Sequence, residues 1–346
     1  MKLSNKHFYN TADFSQKEII DLIDLAISMK QGKYNKSLVG KSLAMLFFNP
    51  SLRTRMSFTI AMDKLGGMAL DFPVSGGKSY SFEFQEGAVM DKATIEHVKD
   101  AAKVISRYCH AIAIRSSDLI TTASESVVVP GWDELKKDIV LRAFMKYSDV
   151  PVINMESNAY HPCQGLGDAM TIKEKLGNPK GKKYTHVWSY HPKALPMSTS
   201  NSQILAACEL GMDVVVAHPQ GFELDPKILE SMQKHAQSAG GQFKVTSSLE
   251  EAYKDSNIIC TKSWGALKFY GNWEEEKKIR GNNKHWIVDK EKMKKTDNAY
   301  FMHCLPVRRN VEVTDEVIDS KKSVVIDEAE NRMWAQMALL QSLIKS

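Results

Sequence analysis

The sequence predicts an α/β protein of two domains, each a parallel sheet covered by helices on both faces. Three observations carry that expectation. Short apolar runs alternate with segments of helical spacing along the whole chain. Such short apolar strands between helices belong to parallel sheets buried on both faces. The chain has 346 residues, enough for two domains with separate cores.

Ser15-Gln16-Lys17-Glu18 is a capping box, and Ile19, Leu22, Ile23, Ala26 and Ile27 follow at helical spacing up to Gly32. Ser42 to Phe48 reads as a strand, Asn49-Pro50-Ser51 as a turn, and the next segment as a helix to about Leu65. Further strands are expected at Ala111–Ile114, Pro151–Met155, Val187-Trp188, Val214–Ala217, Ile258–Cys260, Tyr300–Met302 and Val324–Ile326. Helices are expected at Ser202–Leu210, Pro226–Ala239, Ser248–Tyr253 and Glu328–Lys345. A polar loop from Glu156 to His161 marks the domain boundary.

Apolar residues make up 43% and charged residues 25%, an ordinary globular balance. The net charge of +5 is spread over many Lys and Glu, unlike the concentrated basic face of a nucleic-acid binder. A mild positive balance still favours small anionic substrates. The five cysteines are odd in number and include no CxxC pair, which argues against a disulfide framework or a structural zinc site. Met1 to Lys6 has no apolar core, and no apolar run approaches the roughly 18 residues of a membrane span. The expectation is a reduced, cytoplasmic, soluble protein.

Three segments carry chemistry. Ser51-Leu52-Arg53-Thr54-Arg55 follows a strand and opens a helix. Unsatisfied N–H groups and the dipole at a helix start attract anions, and Arg53 can grip phosphate through two parallel hydrogen bonds. The alternative is a capped helix with two solvated arginines. His161-Pro162-Cys163-Gln164 follows another strand; its histidine reads either as a turn cap or as half of a Cys-His pair lacking an orienting group. His303-Cys304-Leu305-Pro306-Val307-Arg308-Arg309 lies at a strand end, where open parallel sheets bind ligands. Carbonyls beside Pro306 can accept from an amine.

Together, in this order, the segments resemble the aspartate/ornithine transcarbamylase family. Ile114-Arg115 and Glu328-Ala329-Glu330-Asn331-Arg332 extend the resemblance over nearly the whole chain. It is nearest to the branch that uses N-acylated ornithine, through Leu52, Val89-Met90-Asp91, Glu96-His97, Val152–Glu156, His191-Pro192 and Arg308-Arg309-Asn310. Ornithine enzymes hold a free α-amine with an Asp and a Ser-Met-Gly loop. Here that stretch reads Lys262-Ser263-Trp264-Gly265, a cation in place of an anion. Tyr80 stands where the branch usually has Trp, and the Ser75-Gly76-Gly77-Lys78 turn also departs from the pattern.

The resemblance implies a carbamoyl-phosphate domain over residues 1–156, joined by a returning C-terminal helix at 329–346. It implies an acyl-ornithine domain over residues 157–328. It implies that Ser51, Leu52, Arg53 and Thr54 bind phosphate, with Arg115 and with Tyr80 from an adjacent subunit of a homotrimer. His161, Gln164 and Arg332 would surround the carbamoyl group, Arg53, His161 and Arg332 being catalytic. The carbonyls of Cys304 and Leu305 would orient amines, and Glu156, His191, Lys262 and Arg308 would hold the acylated ornithine. The implied partners are carbamoyl phosphate and an N-acylornithine in arginine biosynthesis. No metal, cofactor, nucleic acid or membrane is implied, and the Cys304 thiol is dispensable. Ile95 is expected to read the acyl group: acetylornithine enzymes carry Glu just before the Glu-His pair, succinylornithine enzymes an uncharged residue. Alternatively, Ile95 is the first residue of a helical stripe with Val98, Ala102 and Ile105.

The rival reactions are plain ornithine or aspartate carbamoylation, which the missing Asp and Ser-Met-Gly pattern disfavours. A non-catalytic ligand-binding relative would lack Arg53, Arg115, His161 or Arg332. A nicotinamide oxidoreductase would show GxGxxG after a strand, and none is present.

Overall fold

The computed structural model describes residues 3–74, 80–117 and 130–344. It divides into two compact units. The first comprises residues 1–118, 133–163 and 332–346, and the second residues 119–132 and 164–331.

The chain runs through α1 (Gln16–Lys30), β1 (Ser42–Phe47), α2 (Arg53–Lys64), β2 (Met68–Pro73), β3 (Phe82–Glu83), β4 (Glu96–His97), α3 (Val98–Tyr108) and β5 (Ala111–Arg115). A short α4 (Trp132–Leu135) precedes α5 (Ile139–Tyr147), β6 (Val152–Glu156) and α6 (Pro162–Leu176). The sheet order in the first unit is β2-β1-β5-β6, all parallel. β1 and β6 are buried throughout, as two-sided coverage requires. Ser15 and Glu18 cap α1 reciprocally, and Ile19, Leu22, Ile23 and Ala26 form its buried face.

The second unit continues with β7 (Lys183–Trp188), α7 (Ser198–Glu209), β8 (Asp213–Ala217), α8 (Pro226–Ala239), β9 (Phe243–Thr246), α9 (Leu249–Tyr253) and β10 (Ile258–Lys262). Then come α10 (Trp273–Gly281), α11 (Lys290–Met293), β11 (Tyr300–Met302), α12 (Asp315–Ile318) and α13 (Val325–Leu343). Its sheet order is β11-β10-β7-β8-β9, again parallel.

The end of α13 belongs to the first unit. Trp334 meets Tyr34 edge-on at 6.0 Å, Lys64 lies 5.2 Å over the Trp334 ring, and Gln341 accepts from Ser37 at 3.0 Å. The expected return of the C-terminal helix is therefore present.

One expected strand is a helix. Val325 opens α13; Val324 donates its N–H to the Phe301 carbonyl at 3.0 Å, and its own carbonyl accepts from the Glu328 N–H at 2.9 Å. Ile326 is 71% exposed, which a strand covered on both faces would not allow, and so short an apolar run cannot separate the two states. β2 and β9 were not expected from the sequence. Both are edge strands with exposed positions, so they lack a continuous apolar run. Among the described residues no helix is long and apolar enough to cross a membrane.

Candidate active site

In each sheet the winding reverses once, between β1 and β5 in the first and between β7 and β10 in the second. In open parallel sheets the carboxyl ends of the strands beside such a reversal are where ligands bind. The sequence-predicted residues lie at those ends. Ser51–Arg55 follow β1, Arg115 ends β5 and Glu156 ends β6. His191 follows β7, Lys262 ends β10, and His303 follows β11.

In the first unit, Leu52 is the N-cap of α2 and its side chain supplies no cap, and the start of such a helix attracts an anion. The Thr54 N–H reaches only the Ser51 hydroxyl, at 3.4 Å. Thr54 is buried, and its hydroxyl accepts from Arg332 Nη2 at 2.7 Å. Arg332, in α13, is thereby fixed at the start of α2. Arg55 pairs with Asp71 at 2.9 Å and lies 4.4 Å over the Phe47 ring, so it serves the fold rather than solvent.

Arg115 donates Nη1 to the Glu156 carboxylate, whose Oε2 lies 3.7 Å from His161 Nε2. Glu156, expected among the acyl-ornithine contacts, thus sits in the first unit beside Arg115 and His161. Burial pushes the His161 imidazole down to about 3; Glu156 opposes the shift, and Arg332 and Arg115 add to it. The ring is neutral at pH 7, a donor without a charge.

Gln164, expected at the carbamoyl group, falls in the second unit. Its amide donates to Asp168 at 2.7 Å and to Glu328 at 3.0 Å. The other Glu328 oxygen accepts from the His303 main chain at 2.9 Å, which anchors the His303–Pro306 turn. Burial pushes the Cys304 thiol up to about 12, with Lys262 opposing, so it stays protonated. Arg308 donates Nε to His191 Nε2 at 2.8 Å, and the His191 Nδ1 faces Lys193. Burial lowers the His191 pKa, which suits its acceptor role.

Two groups escaped sequence reasoning. Glu312, 1% exposed, accepts from the Arg308 N–H at 2.8 Å and lies 3.4 Å from His303 Nε2. A fully buried Arg280–Glu276 pair stands behind the Lys262 loop. Neither belongs to a motif, and only their burial marks them.

Tyr80 and Ile95 lie just before β3 and β4, which pair in parallel. Ile95 is 58% exposed and donates its N–H to the Ser81 carbonyl at 3.0 Å. It precedes α3, whose buried face begins at Val98, so it does not join the Val98–Ala102 stripe. The Ser75–Lys78 turn lies outside the described residues.

Comparison with known proteins matches this arrangement. The carbamoyl-P binding domain model of aspartate/ornithine carbamoyltransferase covers residues 6–174, and its Asp/Orn binding domain model covers residues 195–343. The chain belongs to the aspartate/ornithine carbamoyltransferase family. Within that family it falls in the acylornithine branch. It is 42% identical over 345 residues to N-acetylornithine carbamoyltransferase of Xanthomonas campestris pv. campestris, covering 99% of this chain and 98% of that one. Ornithine carbamoyltransferase of Pyrococcus abyssi is 38% identical over 337 residues, 96% of this chain and 93% of that one. The structure of acetylornithine transcarbamylase complexed with acetylcitrulline superposes with a TM-score of 0.93 at 41% identity, over 99% of this chain and 100% of that one. Variants of N-acetyl-L-ornithine transcarbamylase in which one glutamate is replaced by alanine, proline or valine superpose at 0.92 over 98% of this chain and 100% of theirs, at 41%, 41% and 42% identity. Those variants are complexed with carbamoyl phosphate and N-succinyl-L-norvaline.

Proposed function

We propose that this carbamoyltransferase moves the carbamoyl group of carbamoyl phosphate to the δ-amine of N-succinyl-L-ornithine, giving N-succinyl-L-citrulline and phosphate, in arginine biosynthesis. The observation that carries the choice of acceptor is the uncharged, exposed Ile95 ahead of Glu96-His97. We identify the glutamate replaced in the succinyl-norvaline complexes with this position. Valine, one of those replacements, is the nearest in shape to isoleucine, and its complex with N-succinyl-L-norvaline supports a branched aliphatic side chain beside a succinyl group. N-acetylornithine is the second reading, favoured by the names of the relatives.

The chemistry follows from the residues. The phosphate sits at the start of α2, held by Ser51, Leu52, Arg53, Thr54 and Arg115, with Tyr80 supplied by a neighbouring subunit. The neutral His161 imidazole and the Arg332 guanidinium, braced by Thr54, donate to the carbamoyl oxygen as negative charge develops there. Gln164 is assigned to the same group. Carbonyls of Cys304 and Leu305 accept from the amines, and cationic surroundings favour the neutral δ-amine. That amine attacks the carbamoyl carbon. The new C–N bond forms, the C–O bond to phosphate breaks, and the amine proton leaves with phosphate. Glu156, His191, Lys262 and Arg308 hold the acylated ornithine, the cations at its carboxylates.

The apolar row Leu52, Met56 and Ile60 on α2, with Met68 and Phe72 on the edge strand β2, is exposed. Such a patch beside an open sheet edge suits a subunit interface and supports the homotrimer. The five buried free thiols suit a reducing cytoplasm. A citrulline-forming assay with carbamoyl phosphate and ornithine, N-acetylornithine or N-succinylornithine tests the reading. Preference for the succinyl acceptor is expected. No product from any of the three would return the chain to the ligand-binding class.

A further inference from the structure

Among the described residues, Arg280 and Glu276 form an ion pair buried to 1% exposure each, four residues apart on α10. Arg280 Nε donates to Glu276 Oε2 at 2.9 Å. Nη2 donates both to Glu276 Oε1 and, at 2.9 Å, to the Trp264 carbonyl, and Nη1 leaves the pair to donate to the Ser263 hydroxyl at 2.8 Å. Glu276 Oε1 accepts from the Ala266 N–H at 3.3 Å. The guanidinium lies 5.4 Å from the Trp188 ring centroid and 5.2 Å from that of Phe222. Three polar handles of the loop after β10, on Ser263, Trp264 and Ala266, are therefore held by one ion pair.

A buried ion pair loses hydration on both partners, and an apolar pair of similar volume is often as stable. Packing alone does not call for charge at these positions. What the charged pair adds is a fixed fork of donors and one acceptor, all aimed at residues 263–266. That loop begins directly after Lys262. We propose that the Arg280–Glu276 pair is a positioning device for the acyl-ornithine half of the site: it fixes the path of the 263–266 loop and so the place of the Lys262 ammonium. The proposal rests on the assignment of Lys262 to the acylated ornithine.

The test compares the double variant Arg280→Met/Glu276→Leu with Lys262→Met, Ser263→Ala and wild type. The measurements are KM for each substrate, kcat and Tm. The double variant is expected to keep Tm within a few degrees. It should raise KM for the acylornithine tenfold or more and leave KM for carbamoyl phosphate within twofold. Arg280→Lys/Glu276→Asp, which keeps the charges, should recover part of the loss. Unchanged acylornithine KM, or an equal rise in both KM values, overturns the proposal. Ser263→Ala removes one loop anchor without touching the pair, so it carries the test if the double variant fails to fold. A several-fold rise in acylornithine KM is expected from it, and no change overturns the proposal. Lys262→Met separates the two layers: if it leaves acylornithine KM unchanged, the assignment of Lys262 fails; if it raises KM while the double variant does not, only the clamp fails.

Discussion

The Tyr80 hydroxyl donates to the Glu96 carboxylate at 2.6 Å. That bond joins the residue assigned to a neighbour's phosphate site to the segment that begins with Ile95. Beside it, Phe82 pairs with Glu96 and Glu83 with His97 across β3 and β4. The hydrogen bond with Glu96 also raises the Tyr80 pKa, so the phenol stays a donor at working pH. If Tyr80 acts in trans, Tyr80→Ala and Arg53→Ala are each nearly inactive alone. Mixed after dissociation and reassembly, they should regain part of the wild-type activity, because some hybrid sites receive Arg53 from one subunit and Tyr80 from another. Light scattering should give a trimer mass. An active monomer, or no recovery on mixing, would remove the shared site.

Arg53→Ala should abolish turnover with the fold intact. On the proposed mechanism the substitution removes a charge-assisted contact to the phosphate that strengthens as the carbamoyl carbon is attacked. The loss is on the order of 10²-fold in kcat/KM or more. Circular dichroism and Tm should stay close to wild type, since the substitution leaves in place Arg55, which ties α2 to Asp71 and Phe47. Near-normal activity would show that the start of α2 does not bind the phosphate.

His161 predicts a pH dependence of stability. Its folded pKa, about 3, lies below the ordinary value of 6.5. The unfolded chain therefore takes up a proton as pH falls below 6.5 and the folded chain does not, so stability is full above pH 6.5 and declines from there toward pH 3. His186, also held at about 3 by burial, adds to the same slope. Denaturant midpoints measured between pH 7 and pH 4 should fall less steeply in His161→Gln than in wild type. Parallel curves would show that His161 is charged in the folded state.

Cys304→Ser should keep substantial activity. The thiol is held protonated by burial, and the proposed direct transfer uses main-chain carbonyls that the substitution leaves in place. Complete loss of activity in a folded variant would restore a thiol nucleophile.

The fold was legible where the signal was local. The Ser15–Glu18 box, the buried β1 and the Pro226 start of α8 each announce themselves in a few residues. Edge strands β2 and β9 did not, because half-exposed strands carry mixed side chains. The site was legible as motifs at strand ends, but their pairings were not. That Arg332 meets Thr54, 278 residues away, depends on α13 returning to the first unit. The positions of Glu312 and of the Arg280–Glu276 pair depend on burial, which no local pattern encodes. Glu156 and Gln164 show the same limit, since each binds within its own unit before any substrate is considered.

Ile95 decides the acyl group if the acetyl and succinyl branches differ by one charge. Succinyl ends in a carboxylate and acetyl in a methyl. A Glu at this position would face the succinyl carboxylate. Two like charges about 4 Å apart repel by roughly 4 kcal/mol at an effective dielectric near 20, on the order of a thousandfold in discrimination. Ile95 removes that repulsion and leaves Lys and Arg side chains free to hold the carboxylate. The structure makes the substitution a clean probe. Ile95 is 58% exposed and stands before α3, so exchanging it for Glu buries no charge and opens no cavity. Its N–H bond to Ser81 is a main-chain contact that the new side chain leaves intact. Wild type should show the higher kcat/KM with N-succinylornithine. Ile95→Glu should lose most of that activity and gain relative preference for N-acetylornithine, with KM for carbamoyl phosphate and Tm unchanged. A wild type that prefers N-acetylornithine, unaltered by Ile95→Glu, would show that this side chain does not read the acyl group and would return the acceptor to the acetyl form.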